Sequence, residues 1–313
     1  MSPKPKSGAS TTEAGPVLSG RNIRIGAQPI IWSNDDFLEL GGDIPLDRCL
    51  REMREAGYAG CELGHKFPRD AGELARLLDE RDLRLVSGWH SLYLVKNGLE
   101  REREGFEAHL RLLKALGCSV AIVAECTGRI YTRRDTAVIG PARPSLPKEG
   151  WRKLTEGLES LACIAQDTGL KLVYHHHMGT LVQDLSDIDR LMQSTKIVRL
   201  LADTGHLFFA GVEPLEVFTK YSERIAHVHL KDVRPRVVKA AKREALSFEG
   251  AVRRGVFTVP GDGSIDYRPL FAELRRADYE GWMVVEAEQD PSKAEPLSCA
   301  KKGRRYIKET AGL

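Results

Sequence analysis

Histidine and carboxylate side chains gather where short apolar runs of this sequence end. With His109 and His227 set aside, seven of the nine histidines lie in or just after the end of such a run, in segments that read GCELGH, SGWH, VYHHH, LADTGH and HVHLKD. Imidazole and carboxylate groups together suit the divalent ions Mn²⁺, Co²⁺, Fe²⁺ and Zn²⁺. None of the candidate ligands is a cysteine, which disfavours a closed structural zinc site and favours an open catalytic metal.

The alternation of side chains along a strand divides these residues between two faces. His175 and His177 share one face while His176 takes the other, and His227 shares its face with His229. A single histidine in such a position is most often a satisfied core or surface residue. Because several come from successive runs, a shared metal site is the better interpretation.

The apolar runs that carry these residues alternate with amphipathic helical segments, which is typical of a parallel sheet. We predict eight strands, over residues 23–27, 60–63, 83–87, 119–124, 171–174, 198–202, 225–230 and 282–286. No GxGxxG follows the first run, which disfavours an open dinucleotide-binding sheet. The sequence therefore predicts an α/β fold, a (β/α)8 TIM barrel in a single domain, with its chemistry at the C-terminal strand ends. Residues 233–262 are predicted to form a helical lid over the barrel mouth.

Composition and charge narrow the class of protein further. The 47 basic and 44 acidic side chains leave a formal charge of +3, without a block of like charges. We therefore expect a small-molecule ligand, no nucleic acid and no membrane span. The six cysteines form no CxxC pair and favour reduced thiols in the cytoplasm. Residues 1–20 are rich in Ser, Pro, Gly and Lys and are predicted to be a disordered tail before a barrel domain over 21–313.

Several segments together resemble the inosose dehydratase family. They read PIIWSNDDFLELGGDIPL, GYAGCELGHKFP, YHHHMGT, HVHLKDVRP, GVFTVPGDGSIDY and VVEAEQDP, and the likeness runs from about residue 23 to the C-terminus. The resemblance implies a xylose isomerase-like TIM barrel. It also implies a homo-oligomer, because barrels of this superfamily are often dimers or tetramers.

The resemblance implies a ligand set for one divalent metal, Mn²⁺ or Co²⁺. By motif the ligands fall on His175, Asp203, His229 and Glu286, with His206 as the companion of Asp203 in DxxH. The usual E-x-H after strand five is H-x-H here. The strand-five ligand is therefore left open between His175, Glu125 and a water molecule.

The resemblance further implies the dehydration of scyllo-inosose, a cyclic polyol ketone, in myo-inositol catabolism. Loss of a proton next to the ketone needs stabilisation of the enolate oxygen, a base for the proton and an acid for the leaving hydroxyl. His177 is predicted to be the base, and Lys231 to stabilise the enolate or orient the leaving group. Glu62 and His90 are the candidates for the acid.

A third set of residues is predicted to bind substrate hydroxyls. Trp32, Asn34 and Asp35 follow the first strand, although Asn-Asp-Asp is equally typical of a turn. His65, His206 and Gln289 complete the set from the ends of strands two, six and eight.

Three other functions fit parts of the pattern. An isomerase or epimerase of a sugar or an inosose would use the same metal and enolate, but His175 disfavours it because paired glutamates would be expected. An abasic-site endonuclease would need a multi-zinc cluster and a basic groove, which scattered charges do not suggest. A non-catalytic sugar-binding module would not need the full ligand set.

Overall fold

Eight parallel strands close into a barrel in the computed structural model, which describes residues 17–313. The barrel order is β1-β2-β3-β4-β5-β6-β7-β10, with β10 pairing back onto β1. β8 and β9 form a separate antiparallel pair. The strands are β1 Ile23–Ala27, β2 Gly60–Leu63, β3 Arg84–Leu92, β4 Val120–Glu125, β5 Lys171–His175, β6 Arg199–Asp203, β7 Ile225–Leu230, β8 Asp232–Val233, β9 Phe257–Thr258 and β10 Gly281–Val285. The predicted fold class is confirmed.

Helices cover the outside of the barrel, and several begin at an aspartate whose side chain accepts an amide N–H of the first turn, as at Asp70, Asp184 and Asp266. A 3-10 helix spans Pro29–Ile31. The α-helices are α1 Leu46–Glu55, α2 Ala71–Asp79, α3 Leu94–Asn97, α4 Leu99–Ala115, α5 Lys148–Asp167, α6 Leu185–Ser194, α7 Thr204–Phe209, α8 Pro214–Tyr221, α9 Pro235–Arg243, α10 Phe248–Arg253, α11 Tyr267–Arg276 and α12 Pro296–Ala311. Within residues 17–313, no helix combines the length and apolar character needed to cross a membrane.

The inside of the barrel is apolar at one end and polar at the other. Two small groups of buried side chains fill the N-terminal end, namely Val120, Ile122, Val173 and Leu201, and Val86, Trp282 and Val284. Gly60 makes room for Trp282, because a Cβ at Gly60 would lie 2.8 Å from the indole ring. The next inward position on most strands, one step towards the C-terminal end, carries a polar side chain, and these positions form the floor of the site.

The start of the folded chain lies earlier than the sequence suggested. Leu18 is buried, and its amide donates to the carbonyl of Ala311 at the end of α12 over 2.8 Å. Val17 and Leu18 are thus packed against the C-terminal helix, within the segment that the sequence assigned to a tail. The prediction for residues 1–16 lies outside the described residues.

The segment between β7 and β10 folds over the barrel mouth. It contains α9, α10 and the β8-β9 pair. The ring of Phe248, the first residue of α10, lies 5.4 Å from the His177 ring and 6.1 Å from the Tyr131 ring. At the base of this segment, the Asp232 carboxylate accepts the amides of Gly261, Gly263, Ser264 and Ile265. These hydrogen bonds to the Asp232 carboxylate hold the PGDGSID turn in place.

Candidate metal centre

Four side chains from adjacent strands meet at the C-terminal end of the barrel. His175 ends β5, Asp203 ends β6, His229 lies on β7 and Glu286 directly follows β10. One atom of each lies within 4.8 Å of the others, and all four residues are buried. Asp203 Oδ2 is 3.7 Å from His175 Nε2 and 3.5 Å from His229 Nδ1, and His229 Nδ1 is 2.6 Å from Glu286 Oε2. Two imidazoles and two carboxylates that converge on one point form a ligand set that suits a divalent metal ion.

The atoms that face this point lack other partners. Among the described residues, Asp203 Oδ2, His229 Nδ1 and Glu286 Oε2 are buried without a hydrogen bond. Buried polar atoms are normally paired, so three orphaned acceptors around one point fit a bound cation. His175 belongs to this group, and Glu125 does not.

The two imidazoles are held in the tautomer that a metal needs. His175 Nδ1 donates to the carbonyl of His176 over 2.5 Å, which leaves Nε2 as the free acceptor. His229 Nε2 donates to Glu62 Oε1 over 3.0 Å and leaves Nδ1 free. Glu62 also accepts from His227 over 2.7 Å. Burial alone would raise the pKa of Glu62, but the imidazoles of His229 and His227 lower it to about 2. Glu62 is therefore an anionic acceptor that orients His229, not a proton donor.

The Glu62→Gln variant is expected to bind the metal about 10-fold more weakly or worse, because a neutral amide oxygen polarises His229 less than a carboxylate does. Titration calorimetry of metal-stripped protein with Mn²⁺ measures the change. Glu125→Gln is the matched control, since Glu125 is another buried strand-end carboxylate that accepts the amides of Leu94 and Thr127 instead. An unchanged affinity in Glu62→Gln would contradict the orienting role.

Lys231 lies behind the four residues and is fully buried. Its Nζ is 2.6 Å from Glu286 Oε1, 2.9 Å from Glu288 Oε2 and 3.4 Å from Asp203 Oδ2. Burial would lower the pKa of this ammonium, but the three carboxylates raise it above its ordinary value. Lys231 is not among the residues that line the cavity, so it holds the carboxylates in place rather than reaching into the cavity.

The centre forms the floor of a cavity of about 260 Å³. Seven of the fourteen predicted site residues line it: Asp35, Glu62, His65, His175, His177, His229 and Glu286. Trp89 contributes an apolar wall, with its ring 5.4 Å from the His175 ring and 5.8 Å from the His177 ring. The volume lies near the lower end of the usual range for small-molecule pockets, so the cavity suits a small ligand.

His177 lies next to the metal centre on the cavity wall. Its Nδ1 donates to the carbonyl of Met178 over 2.8 Å, so in the neutral imidazole Nε2 is the acceptor nitrogen. Nε2 is 3.7 Å from Glu288 Oε1, so a proton taken up there would lie beside a carboxylate. The His206 ring lies behind the His177 ring, tilted by 46° with ring centroids 3.9 Å apart, and His206 Nε2 is 2.9 Å from Lys231 Nζ. His206 is buried in the wall and does not line the cavity.

Four predicted site residues lie away from the cavity. His90 points out of β3, because its neighbours Trp89 and Ser91 take the inward face, and it stacks on His109 of α4 at 5.2 Å. Trp32 Nε1 donates to Glu52 Oε2 over 2.6 Å. Asn34 Oδ1 caps the amides of Asp36 and Phe37 over 2.8 Å each, which is the turn that the sequence left as an alternative.

Gln289 is the fourth of these residues. Its side chain donates to the carbonyl of Ala294 over 3.5 Å and faces a different depression of the surface. The structure therefore does not bring His90, Trp32, Asn34 and Gln289 to the cavity, where the sequence had placed them.

Asp36, Arg129, Tyr131 and Glu288 are among the cavity residues that lie outside the predicted set of site residues. Glu288 has a sequence signal, because it follows Glu286 by two positions and so continues the inward face. Arg129 and Tyr131 come from the loop after β4, where no spacing rule applies. Asp36 is exposed, and the surface that it exposes faces the cavity. Enclosure by protein, with Glu288 and Asp35 nearby, raises the pKa of Asp36 to about 6 although His177 opposes the shift.

Comparison with known proteins defines the class first. Residues 14–310 match the family described as xylose isomerase-like TIM barrel. A crystal structure of IOLI protein with a bound zinc atom has the same fold, with a TM-score of 0.66 over 92% of this chain and 98% of that one, at 15% identity. The chain is thus one of these barrels, and a divalent metal fits its buried cluster.

The curated relatives define the family more narrowly. The chain is 47% identical to the inosose dehydratase of Geobacillus thermodenitrificans over 299 residues, which is 95% of this chain and 100% of the relative. It is 45% identical to the inosose dehydratase of Clostridium perfringens over 294 residues, or 93% of this chain and 99% of the relative. The chain belongs to the inosose dehydratase family and is a dehydratase, that is, a hydro-lyase.

Proposed function

We propose that this dehydratase removes water from scyllo-inosose (2-keto-myo-inositol) and gives a trihydroxycyclohexane-1,2-dione in myo-inositol catabolism. The observation that carries the proposal is a small cavity whose floor is a buried ligand set and whose wall holds the His177 imidazole, with Nδ1 bound to a backbone carbonyl and Nε2 left for a ligand. The substrate is supported by relatives that bear the name inosose dehydratase.

The proposed metal ligands are His175, Asp203, His229 and Glu286. A divalent cation held there would act as a Lewis acid towards the negative charge that develops on the ketone oxygen. We propose Mn²⁺ or Co²⁺, because a set of two imidazoles and two carboxylates suits such ions.

His177 is the proposed base. Its Nε2 takes the proton from the carbon next to the ketone, and the electron pair of that C–H bond moves towards the carbonyl. The imidazolium that forms is stabilised by Glu288, whose Oε1 is 3.7 Å away. Lys231 and Glu62 are proposed to act as positioning residues, because Lys231 holds Glu286 and Glu288 while Glu62 holds His229.

Asp36 is the proposed acid, in place of Glu62 and His90. Its carboxyl group forms no hydrogen bond or ion pair with another described side chain and faces the cavity. The protonated form gives its proton to the departing β-hydroxyl, so that water leaves as the C–O bond breaks. The raised pKa keeps part of this group protonated near neutral pH.

Asp36→Asn is expected to lower kcat/KM by about 10²-fold, because positioned proton transfer contributes this much or more. An acid must be protonated to act, so wild-type kcat/KM is expected to fall as the pH rises through about 6. This fall in kcat/KM with rising pH should be absent from the pH profile of Asp36→Asn. Asp35→Asn is the comparison, since Asp35 pairs with His65 at 2.6 Å and its loss should raise KM instead. An unaltered profile in Asp36→Asn would exclude it as the acid.

Substrate hydroxyls are proposed to be bound at the rim of the cavity. Asp35 and His65 keep this role from the sequence prediction, and Arg69 and Arg129 join them as cavity residues. Their hydrogen-bonding groups suit a ligand that carries hydroxyls all around its ring.

We also propose a cytoplasmic location and a homo-oligomer without nucleic-acid partners. All six cysteines are free, which supports a reducing compartment. The small formal charge supports a small-molecule substrate over nucleic acid.

The test is an assay of metal-stripped protein reloaded with Mn²⁺ or Co²⁺ and given scyllo-inosose. Dehydration is followed by the ultraviolet absorbance of the conjugated dione tautomer. Absorbance that grows only with metal would support the proposal. Solvent deuterium entering the substrate without dione would favour an isomerase or epimerase, and neither signal would exclude this substrate.

A further inference from the structure

We infer that the ammonium of Lys231 holds the place of a second metal ion and keeps this centre mononuclear. A second buried group of ligand-type side chains lies beside the first, made of His177, His206 and Glu288. One atom of each lies within 4.8 Å of the others. Two imidazoles and a carboxylate resemble the ligand sets of open metal sites, so this group needs a reason not to bind an ion.

The position of Lys231 Nζ supplies that reason. It is 2.9 Å from both His206 Nε2 and Glu288 Oε2, which belong to the second group. It is also 2.6 Å from Glu286 Oε1 and 3.4 Å from Asp203 Oδ2, which belong to the first. The ammonium therefore contacts both groups, and a divalent cation bound by the second group would lie against a like charge in a dry interior.

Neighbouring residues hold the Lys231 side chain in one position. A Cβ at Gly205 would lie 2.5 Å from Lys231 Cγ, so only glycine leaves room for the lysine stem. The Phe257 ring lies 4.8 Å from Nζ and adds a cation–π contact. The backbone of Lys231 is fixed by Thr204, whose Oγ1 donates to the Lys231 carbonyl over 2.8 Å. The ammonium is thus held at one point rather than free to swing away.

The three carboxylates that contact the Lys231 ammonium are balanced in charge by one divalent ion and this lysine, whereas the charge of Glu62 faces His229 and His227. Asp203, Glu286 and Glu288 carry three negative charges, and all contact Nζ. One divalent cation and one ammonium carry three positive charges. Without the ammonium, a single divalent ion leaves a buried excess of negative charge, which a second cation would relieve.

The inference rests on the proposed metal centre but not on the proposed substrate. Metal-stripped wild type, Lys231→Ala and the double variant Lys231→Ala/His206→Ala are titrated with Mn²⁺ by calorimetry, and bound metal is counted by elemental analysis. We expect about one ion per chain in wild type, about two in Lys231→Ala and about one again in the double variant. A Mn²⁺ pair in Lys231→Ala should also give the electron spin resonance signal of two coupled ions.

Lys220→Ala is the matched control, because Lys220 pairs with Asp189 at 2.7 Å on the surface. It should bind the same amount of metal as wild type. If Lys231→Ala does not fold without metal, it is refolded with Mn²⁺ and its metal counted in the same way. A single ion in Lys231→Ala, or two in wild type, would overturn the inference. Wild type that binds no metal would instead remove the proposed centre itself.

Discussion

Asp203→Asn is expected to lose its metal ion and at least about 10³-fold of its turnover. Asp203 Oδ2 is buried, forms no hydrogen bond among the described residues and faces the other three ligands. A Lewis acid in such a site contributes several kcal/mol, and about 1.4 kcal/mol corresponds to a tenfold change in rate. Metal content after desalting and dione formation at saturating Mn²⁺ measure the two losses.

Asp203→Asn removes a metal ligand but is expected to leave the fold intact. Asp203 Oδ1 caps α7 by accepting the amide of His206 over 2.8 Å, and an asparagine oxygen keeps that bond. Asp266→Asn is the control, since Asp266 caps α11 in the same way far from the cluster. If Asp203→Asn kept its metal and its rate while Asp266→Asn behaved like wild type, the ligand assignment would be wrong.

The alternation of side chains along the strands made the convergence of these strand-end residues predictable. His175 follows the inward-facing Val173 by two positions, and Glu286 follows Val284 in the same way. The sequence therefore shows which strand-end side chains share a face once the strand is located. Membership of a known family then selects the four that come together.

The same rule failed where the strand was longer than expected. β3 continues to Leu92, so His90 is an ordinary position within a strand and not its end. Its outward orientation follows from the inward orientation of Trp89, whose neighbour it is. Glu125 is outward for a related reason, because Ile122 faces the barrel interior three positions before it.

Contacts between distant segments were not predictable. Lys231 was predicted to act on the substrate, but its burial depends on Gly205 and Phe257, which come from other parts of the chain. Asp36 reaches the cavity because Asn34 forms a tight turn around it. Neither arrangement follows from spacing, since both arise from packing of loops on the finished barrel.

His177→Gln is expected to lower kcat by about 10² to 10⁴-fold with little change in metal binding. Glutamine places a polar amide near the position of His177 Nε2, but this amide cannot take up a proton. Exchange of solvent deuterium into the substrate should fall as strongly as dione formation, because both need the same proton removed. The two rates are measured by magnetic resonance and by absorbance on protein with its metal counted.

His90→Gln is the matched control, because the sequence placed His90 in the site while its ring stacks on His109 outside the barrel. It should keep both rates, which separates loss of the base from loss of any buried histidine. If His177→Gln held its metal and exchanged deuterium at the wild-type rate, another group would be the base. If it exchanged normally but formed no dione, His177 would act instead on the leaving hydroxyl, and Asp36 would lose its role as the acid.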